Sequence, residues 1–344
     1  MPKRINNIFY EKLKFSNMYN AYERAAKGKH KNKEVICFEL DLANNILNIL
    51  RELYSGKYRT GVYRKFKIYE PKERIIESLP FKDRIVQQWF VEEFIKPIFV
   101  PKFIQDTYAC IENRGVHKCV KKLNRYMYNY KKQNPNFYIL KCDVSKFFYS
   151  INKEKLYLII KRYVKDKNFL ELTKLLINND NEKYGIPIGN YTSQYFANIY
   201  LNELDHFVKE KLNIKYYVRY MDDFALLLKD KNTCKETLNN ITQFLENELD
   251  LKLNKKTNYF KQNQGINFCG YKIFSSHILV KKENIKKAKR KIKKWNKLYE
   301  QKKLQFKETT IKLNAWLGHV QNADTFNLVN NVIRTCQWIY NDKT

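Results

Sequence analysis

Acidic side chains are scarce in this 344-residue chain: 35 Asp and Glu stand against 66 Lys and Arg, a formal net charge of +31. Such a field selects polyanionic partners, nucleic acid first among them. AT-rich coding and the ordinary use of Lys on surfaces explain the choice of Lys over Arg better than they explain the missing acids. No apolar run reaches the roughly eighteen residues that a membrane-spanning helix needs. Met1-Pro2-Lys3-Arg4-Ile5-Asn6 carries no apolar signal core. The expectation is a cytoplasmic protein without a membrane partner. Seven cysteines are scattered with no CxxC pair and no Cys/His cluster at zinc spacing. Buried free thiols are expected, with no structural metal and no disulfide. No internal repeat, low-complexity linker or second enzymatic module is visible. What is present is an apolar fraction of 44%, enough for a large core and several subdomains around one active site.

Residues 1–60 read as helices, with apolar stripes at Ile8–Phe15, Asn17–Ala26 and Leu40–Leu53, the last stopped by Ser55-Gly56. Residues 62–70 alternate as a strand or hairpin with a basic face, closed by Pro71. Helices are expected over 78–100 and, strongly basic, over 115–132. Asn134-Pro135-Asn136 is a turn, and Phe137–Asp143 is a short apolar strand that ends on an acid. Helical stretches follow at 153–178, 192–212 and 233–249, with a loop at 185–190. Strand, acidic turn and strand occupy 214–229, and further strands are expected at 258–261 and 267–274. From about 281 the chain turns into a helix with Ile285, Ile292, Trp295 and Leu298 on one face and lysines on the other. That basic face reads as a solvated surface, a membrane-lying surface or, with no acids to balance it, a phosphate-contacting one.

Adding a nucleotide to a chain end requires attack on a phosphorus that already carries negative charge. Two divalent cations roughly 3.5–4 Å apart are the recurring solution, and Mg²⁺ needs few carboxylates to hold it. Asp143 ends one apolar strand. Asp222 and Asp223 sit between Tyr216–Tyr220 and Phe224–Leu228. Two acids inside such an apolar hairpin are costly unless neutralised or functional, although Asp is also common in plain turns.

These residues resemble the reverse transcriptase family. Tyr220-Met221-Asp222-Asp223 matches its YxDD box and Asp143–Phe148 its first acidic motif. The resemblance continues through Gly185–Leu201, Leu251–Thr257 and Phe268–Tyr271, in the family's order. It implies an α+β right-hand polymerase fold with an antiparallel palm sheet, fingers and a helical thumb. The implied division is 1–136 for N-terminal helices and fingers with part of the palm, 137–275 for the palm and 276–344 for the thumb. The activity implied is RNA-directed DNA polymerase, with two Mg²⁺ ions as cofactor and Mn²⁺ as substitute. Asp143, Asp222 and Asp223 become the metal-site acids, joined by the Val144 carbonyl. Phe148 falls at the ribose gate, where a ring excludes a 2′-hydroxyl; its plain alternative is an ordinary core Phe. Arg74 matches the arginine that meets the triphosphate, with Lys67 as its lysine partner. Ile188, Gly189 and Gln194 line up with the nucleotide and template pocket. Lys256 is placed to protonate departing pyrophosphate or is a solvated lysine. Phe268, Cys269, Gly270 and Tyr271 resemble the primer grip. Lys286, Lys289, Arg290 and Lys293 are expected on primer or template phosphates.

The subgroup resembled is that of diversity-generating retroelements. It shows in Gly185–Gln194, Ala26–Lys29, Tyr69-Glu70-Pro71-Lys72 and Trp316-Leu317-Gly318-His319. The group copies a template RNA with errors at adenines, aided by a small accessory protein; Arg74 and Ile188 match positions tied to low fidelity. Tyr149 and the Cys110–His117 stretch depart from the pattern. Defence-associated reverse transcriptases, which copy a partner non-coding RNA in antiphage immunity, share the same core. A catalytically silent RNA-binding homologue is the alternative of another class. The implied partners are template or non-coding RNA, cDNA, dNTPs, and an accessory protein or further copies of the chain. Trp316, Trp338 and Tyr340 are packing anchors for a partner or plain core.

Overall fold

The strands are β1 (Arg64–Ile68), β2 (Arg74–Ser78), β3 (Tyr138–Asp143), β4 (Tyr217–Tyr220), β5 (Asp223–Leu228), β6 (Asn258–Lys261), β7 (Ile266–Phe268), β8 (Tyr271–Ile273) and β9 (Ile278–Val280), of which β2 and β9 have no counterpart among the strands expected from the sequence. They form three sheets, ordered β1-β2, β4-β5-β3-β6 and β7-β8-β9. The pairs β1/β2, β3/β6, β4/β5, β7/β8 and β8/β9 are antiparallel. Helices fill most of the remainder, so the α+β class holds. The computed structural model describes residues 4–69, 73–178 and 182–341, with the side chains of Tyr340 and Asn341 outside that description. Pro71, the Glu70-Pro71-Lys72 strand end and the Tyr340 anchor therefore lie outside the described residues.

The chain divides into two compact units, each assembled from three stretches. The first holds Met1–Ile111, Asp143–Ile214 and Asn239–Lys256. Its centre is the Tyr191–His206 helix, buried along most of its length. Polar side chains on so buried a helix must find partners: Asn198 donates to the Ala109 carbonyl at 2.8 Å and Thr107 to Asp205 at 2.6 Å. Trp89, Phe90, Phe94 and Phe169 interlock beside it, with ring centroids 5.1–5.7 Å apart. The helix expected over 78–100 is interrupted: Phe81–Phe90 widens into a π-helical turn at Val91–Ile95 before Lys96–Phe99. The stretch 153–178 is two helices, Lys153–Lys161 and Lys167–Ile177. Asp166 makes the break. One of its oxygens caps Phe169 N, as an N-cap Asp should. The other accepts from Ile8 N and Phe9 N at 2.8 and 3.1 Å.

The second unit holds Glu112–Cys142, Lys215–Leu238 and Thr257–Thr344. The Val116–Gln133 helix buries Cys119, Val120, Leu123 and Met127 at helical spacing. The stretch 267–274 is not one strand but the β7–β8 hairpin. Its turn residues Cys269 and Gly270 take φ of 48° and 88°, the pair of left-handed conformations a tight hairpin turn demands. The C-terminal helices Lys282–Glu300, Phe306–Val320 and Phe326–Ile333 close on Ile292, Leu313, Val332, Cys336 and Trp338, with Trp316 packed against them. Trp338 is core. The seven thiols are free but not uniformly buried: Cys37 is exposed and Cys110 and Cys269 are half-buried. Among the described residues no helix is long and apolar enough to cross a membrane.

Candidate active site

In the second unit, Tyr220 pairs with Asp223 across β4–β5, leaving Met221 and Asp222 as a two-residue turn. Met221 sits at φ 59°. A side chain there costs on the order of 1 kcal/mol, which is why such turns usually take Gly or Asn. The Arg219 side chain, fully buried, donates from Nη1 to the Met221 carbonyl at 2.9 Å. It thus fixes the peptide that precedes Asp222. Replacing the guanidinium in Arg219→Met removes that donor from the part-buried Met221 carbonyl. We expect a loss of about 2 kcal/mol in stability, read from denaturant unfolding, together with reduced nucleotide incorporation. Unchanged stability would mean that Arg219 contributes packing alone.

Asp222 and Asp223 are both half-buried. Lys141, on β3, reaches Asp223 Oδ1 at 3.3 Å and donates to the Asn267 carbonyl on β7 at 2.9 Å. Its ammonium also lies 5.8 Å from the Phe268 ring centroid. One lysine therefore ties the acidic turn to the β7–β8 hairpin. Sequence reasoning missed it. The available signal was its place two residues before Asp143, on the same face of a strand. Of the four residues matched to the primer grip, Phe268 and Tyr271 are buried at 1% and 0%. They hold the turn from beneath, and Cys269 and Gly270 are what it presents. The Gly270 carbonyl is held by Lys281 N and Asn284 Nδ2, both at 3.1 Å. Lys286, Lys289, Arg290 and Lys293 are all exposed on the Lys282–Glu300 helix.

In the first unit, the backbone from Asp143 to Ser145 is clamped by 252–254. Asn254 N donates to the Asp143 carbonyl at 2.7 Å, Ser145 N to the Lys252 carbonyl at 2.8 Å, and Val144 pairs with Leu253. The clamp brings the first acidic motif beside the exposed Lys256. Phe147 is core, 2% exposed, whereas its neighbour Phe148 is half-buried. Ile186 N donates to the Phe148 carbonyl at 2.8 Å, so the 185–190 loop is stitched to the ring's own backbone. The same loop is stitched to β2, where Glu77 N donates to the Ile188 carbonyl at 2.9 Å. Gly189 makes this approach possible. Its φ is 129°, and a Cβ there would lie 2.8 Å from the Glu77 carbonyl oxygen. Gln194 is exposed on a helix whose neighbours Thr192, Ser193 and Tyr195 are buried.

The loop thereby joins Phe148, Ile188 and the strand that carries Arg74. Lys67 is not gathered with them. In the β1/β2 register Lys67 opposes Ile75 and Ile68 opposes Arg74, so Lys67 and Arg74 point to opposite faces. Lys67 instead pairs with Glu73 at 2.9 Å.

Among the described residues, no three His, Cys, Asp or Glu side chains are grouped as a ready metal cage. The fit of the acids to a divalent cation rests on their donor chemistry. They are half-buried carboxylates at strand ends, and Asp223 already draws a lysine cation. Oxygen donors of this kind suit Mg²⁺, which takes one or two carboxylates and fills its remaining positions with phosphate and water.

Comparison with known proteins gives a match of residues 64–273 to the family described as reverse transcriptase (RNA-dependent DNA polymerase). The COX1/OXI3 intron 2 protein of Saccharomyces cerevisiae is 22% identical over 279 residues, covering 62% of this chain and 31% of that protein. Protein YkfC of Escherichia coli is 25% identical over 273 residues, covering 66% of this chain and 71% of that one. The group II intron-encoded protein LtrA of Lactococcus lactis is 22% identical over 302 residues, covering 66% and 49%. The chain thus spans about a third of the yeast relative and about half of the lactococcal one.

Proposed function

The chain belongs to the reverse transcriptase family, and on that premise we propose that it synthesises cDNA from a dedicated RNA by two-metal-ion nucleotidyl transfer within a diversity-generating retroelement. The observation that carries the catalytic part is the four-stranded sheet. In it β3, ending on Asp143, is the hydrogen-bonded neighbour of β5, which begins on Asp223 after the Met221-Asp222 turn. Asp143, Asp222, Asp223 and the Val144 carbonyl would hold the Mg²⁺ ions. When bound, the ions stabilise the attacking and leaving oxygens.

The chain's own residues do the rest. Arg219 keeps the Asp222 peptide in place, and Lys141 balances the charge of Asp223. Phe148 presents a half-buried ring where a ribose 2′-hydroxyl would sit, excluding NTPs. Arg74 neutralises triphosphate charge from an exposed strand edge, and Lys256 is placed to give a proton to the leaving group. Ile188, Gly189 and Gln194 shape the pocket for base and template. The reading divides the chain into N-terminal helices and fingers with part of the palm at 1–136, the palm with the catalytic acids at 137–275 and the helical thumb at 276–344. Template RNA, cDNA and dNTPs are its partners.

The retroelement role is supported by Gly185–Gln194 and Trp316–His319, and by Arg74 and Ile188, which share the loop-and-strand assembly described above. It is tested by purifying the protein from its native locus and sequencing the bound nucleic acid. One structured RNA with attached cDNA carrying substitutions at adenines is the expected result. Accurate cDNA from a single non-coding RNA would replace this role with antiphage defence. Random cellular RNA without cDNA would favour a silent RNA-binding homologue.

A further inference from the structure

The outward lysines of the Lys282–Glu300 helix account for only one of its basic stripes. A second stripe, Lys287, Lys291 and Trp295, recurs every four residues on the side that meets the Phe306–Val320 helix. There it faces Lys312, Trp316 and His319, spaced by four and three. The two stripes do not close on each other. Ala288 and Ala315 lie between the large residues, and a cavity of about 440 Å³ remains. That is within the range of small-ligand sites, which start at about 300 Å³.

A packing gap would be lined by apolar groups. This one carries three ammonium groups and two indoles, and two of its polar atoms are buried without a protein partner among the described residues: Trp316 Nε1 and His319 Nε2. The His319 ring is oriented from behind. Burial pushes the Tyr271 hydroxyl up to about 12, so it keeps its proton and donates it to the His319 carbonyl at 2.6 Å. The contact of His319 Nδ1 with the Tyr271 hydroxyl oxygen, at 3.0 Å, then requires Nδ1 to carry the ring proton. Burial, with His117 nearby, holds His319 below its ordinary value, so the ring is neutral near pH 7 and Nε2 is a bare acceptor. The cavity therefore offers aromatic surface and a basic rim, with one donor and one acceptor buried in the walls behind it.

We propose that this cavity binds a single unpaired nucleotide of a nucleic-acid strand, with its base against Trp316 and Trp295 and its phosphates on Lys287, Lys291 and Lys312. Every base has a face that stacks on an indole and an edge with donors and acceptors, and every strand has the phosphates. The site is distinct from the acids and from the outward face of Lys286, Lys289, Arg290 and Lys293. It rests on the nucleic-acid-copying reading above for its partner.

The test is photo-crosslinking of the full-length protein to RNA and DNA oligonucleotides that carry one 5-iodouracil, either unpaired or within a duplex, followed by peptide mapping. Extension of a pre-annealed primer is measured on the same preparations. Unpaired probes are expected to crosslink to the peptides bearing Trp295 or Trp316, and duplex probes are not. Lys312→Glu, at an exposed position that tolerates the change, and Trp316→Leu are each expected to lower that yield by about 10-fold. The RNA and DNA arms identify which strand supplies the nucleotide. Equal yields for wild type and Lys312→Glu, or crosslinks confined to other peptides, overturn the proposal. So does protection of these peptides by anionic vesicles and not by oligonucleotide. Wild type that crosslinks here but does not extend primers sinks the polymerase reading and leaves the site standing. Wild type that extends primers without the crosslink sinks the site alone.

Discussion

Asp222→Asn is expected to reduce dNTP incorporation by about 10³-fold or more, while RNA affinity changes by less than about twofold because Lys and Arg contacts to phosphate carry it. The substitution is nearly isosteric, so the Met221-Asp222 turn and the Tyr220–Asp223 pair should persist. What is lost is a charged oxygen donor at the tip of a hairpin already held in an unfavourable backbone conformation by Arg219. Strain at a functional turn is kept when position matters more than local stability. Primer extension on a defined RNA template, with filter binding in parallel, measures both quantities. Retained synthesis would remove Asp222 from the reaction. Lost synthesis with lost RNA binding would point to a folding defect.

Phe148→Ala should lower the preference for dNTPs over NTPs by about 10²-fold and leave dNTP incorporation close to wild type. The prediction turns on the contrast between adjacent rings. Phe147 fills the core, and Phe148 stands half-exposed 5.6 Å from it in an edge-on arrangement. Truncating Phe147 would leave a core cavity and cost several kcal/mol, about 3–5 by comparison with other buried Phe. Truncating Phe148 removes a wall and little packing. Single-nucleotide incorporation with matched dNTP and NTP gives the ratio. An unchanged ratio would place the ribose gate elsewhere, with the neighbouring loop at Ile186–Ile188, bonded to the Phe148 backbone, as the alternative.

Elements with a strong period were legible in the sequence. β3 and the β4–β5 hairpin fall where alternation and an acidic turn put them, because a buried apolar strand that ends on Asp has few other readings. The helix over 167–177 was legible in type but not in extent. The break at Asp166 depends on the backbone of Ile8 and Phe9, more than 150 residues away in sequence. The β7–β8 turn was missed because Cys269 is not a residue type that announces a left-handed turn, although Gly270 beside it is. Lys141 was invisible for another reason. In a chain with 66 basic residues, one lysine carries no signal until the structure shows it bridging Asp223 and Asn267. The same excess hid the divergence of Lys67 and Arg74, which is a matter of strand register.

The clamp on Asp143 has a consequence for biosynthesis. Its partners at Lys252 and Asn254 leave the ribosome on the order of a hundred residues after the first acidic motif, a delay on the order of ten seconds at ordinary translation speeds. Until then the first unit lacks its Asn239–Lys256 stretch, and the segment around Asp143 and Phe148 has no native backbone partners on that side. A nascent chain stalled before residue 239 would present an incomplete first unit, open to proteases and chaperones. The order of synthesis thus keeps the proposed catalytic centre from forming before residue 254 has been made.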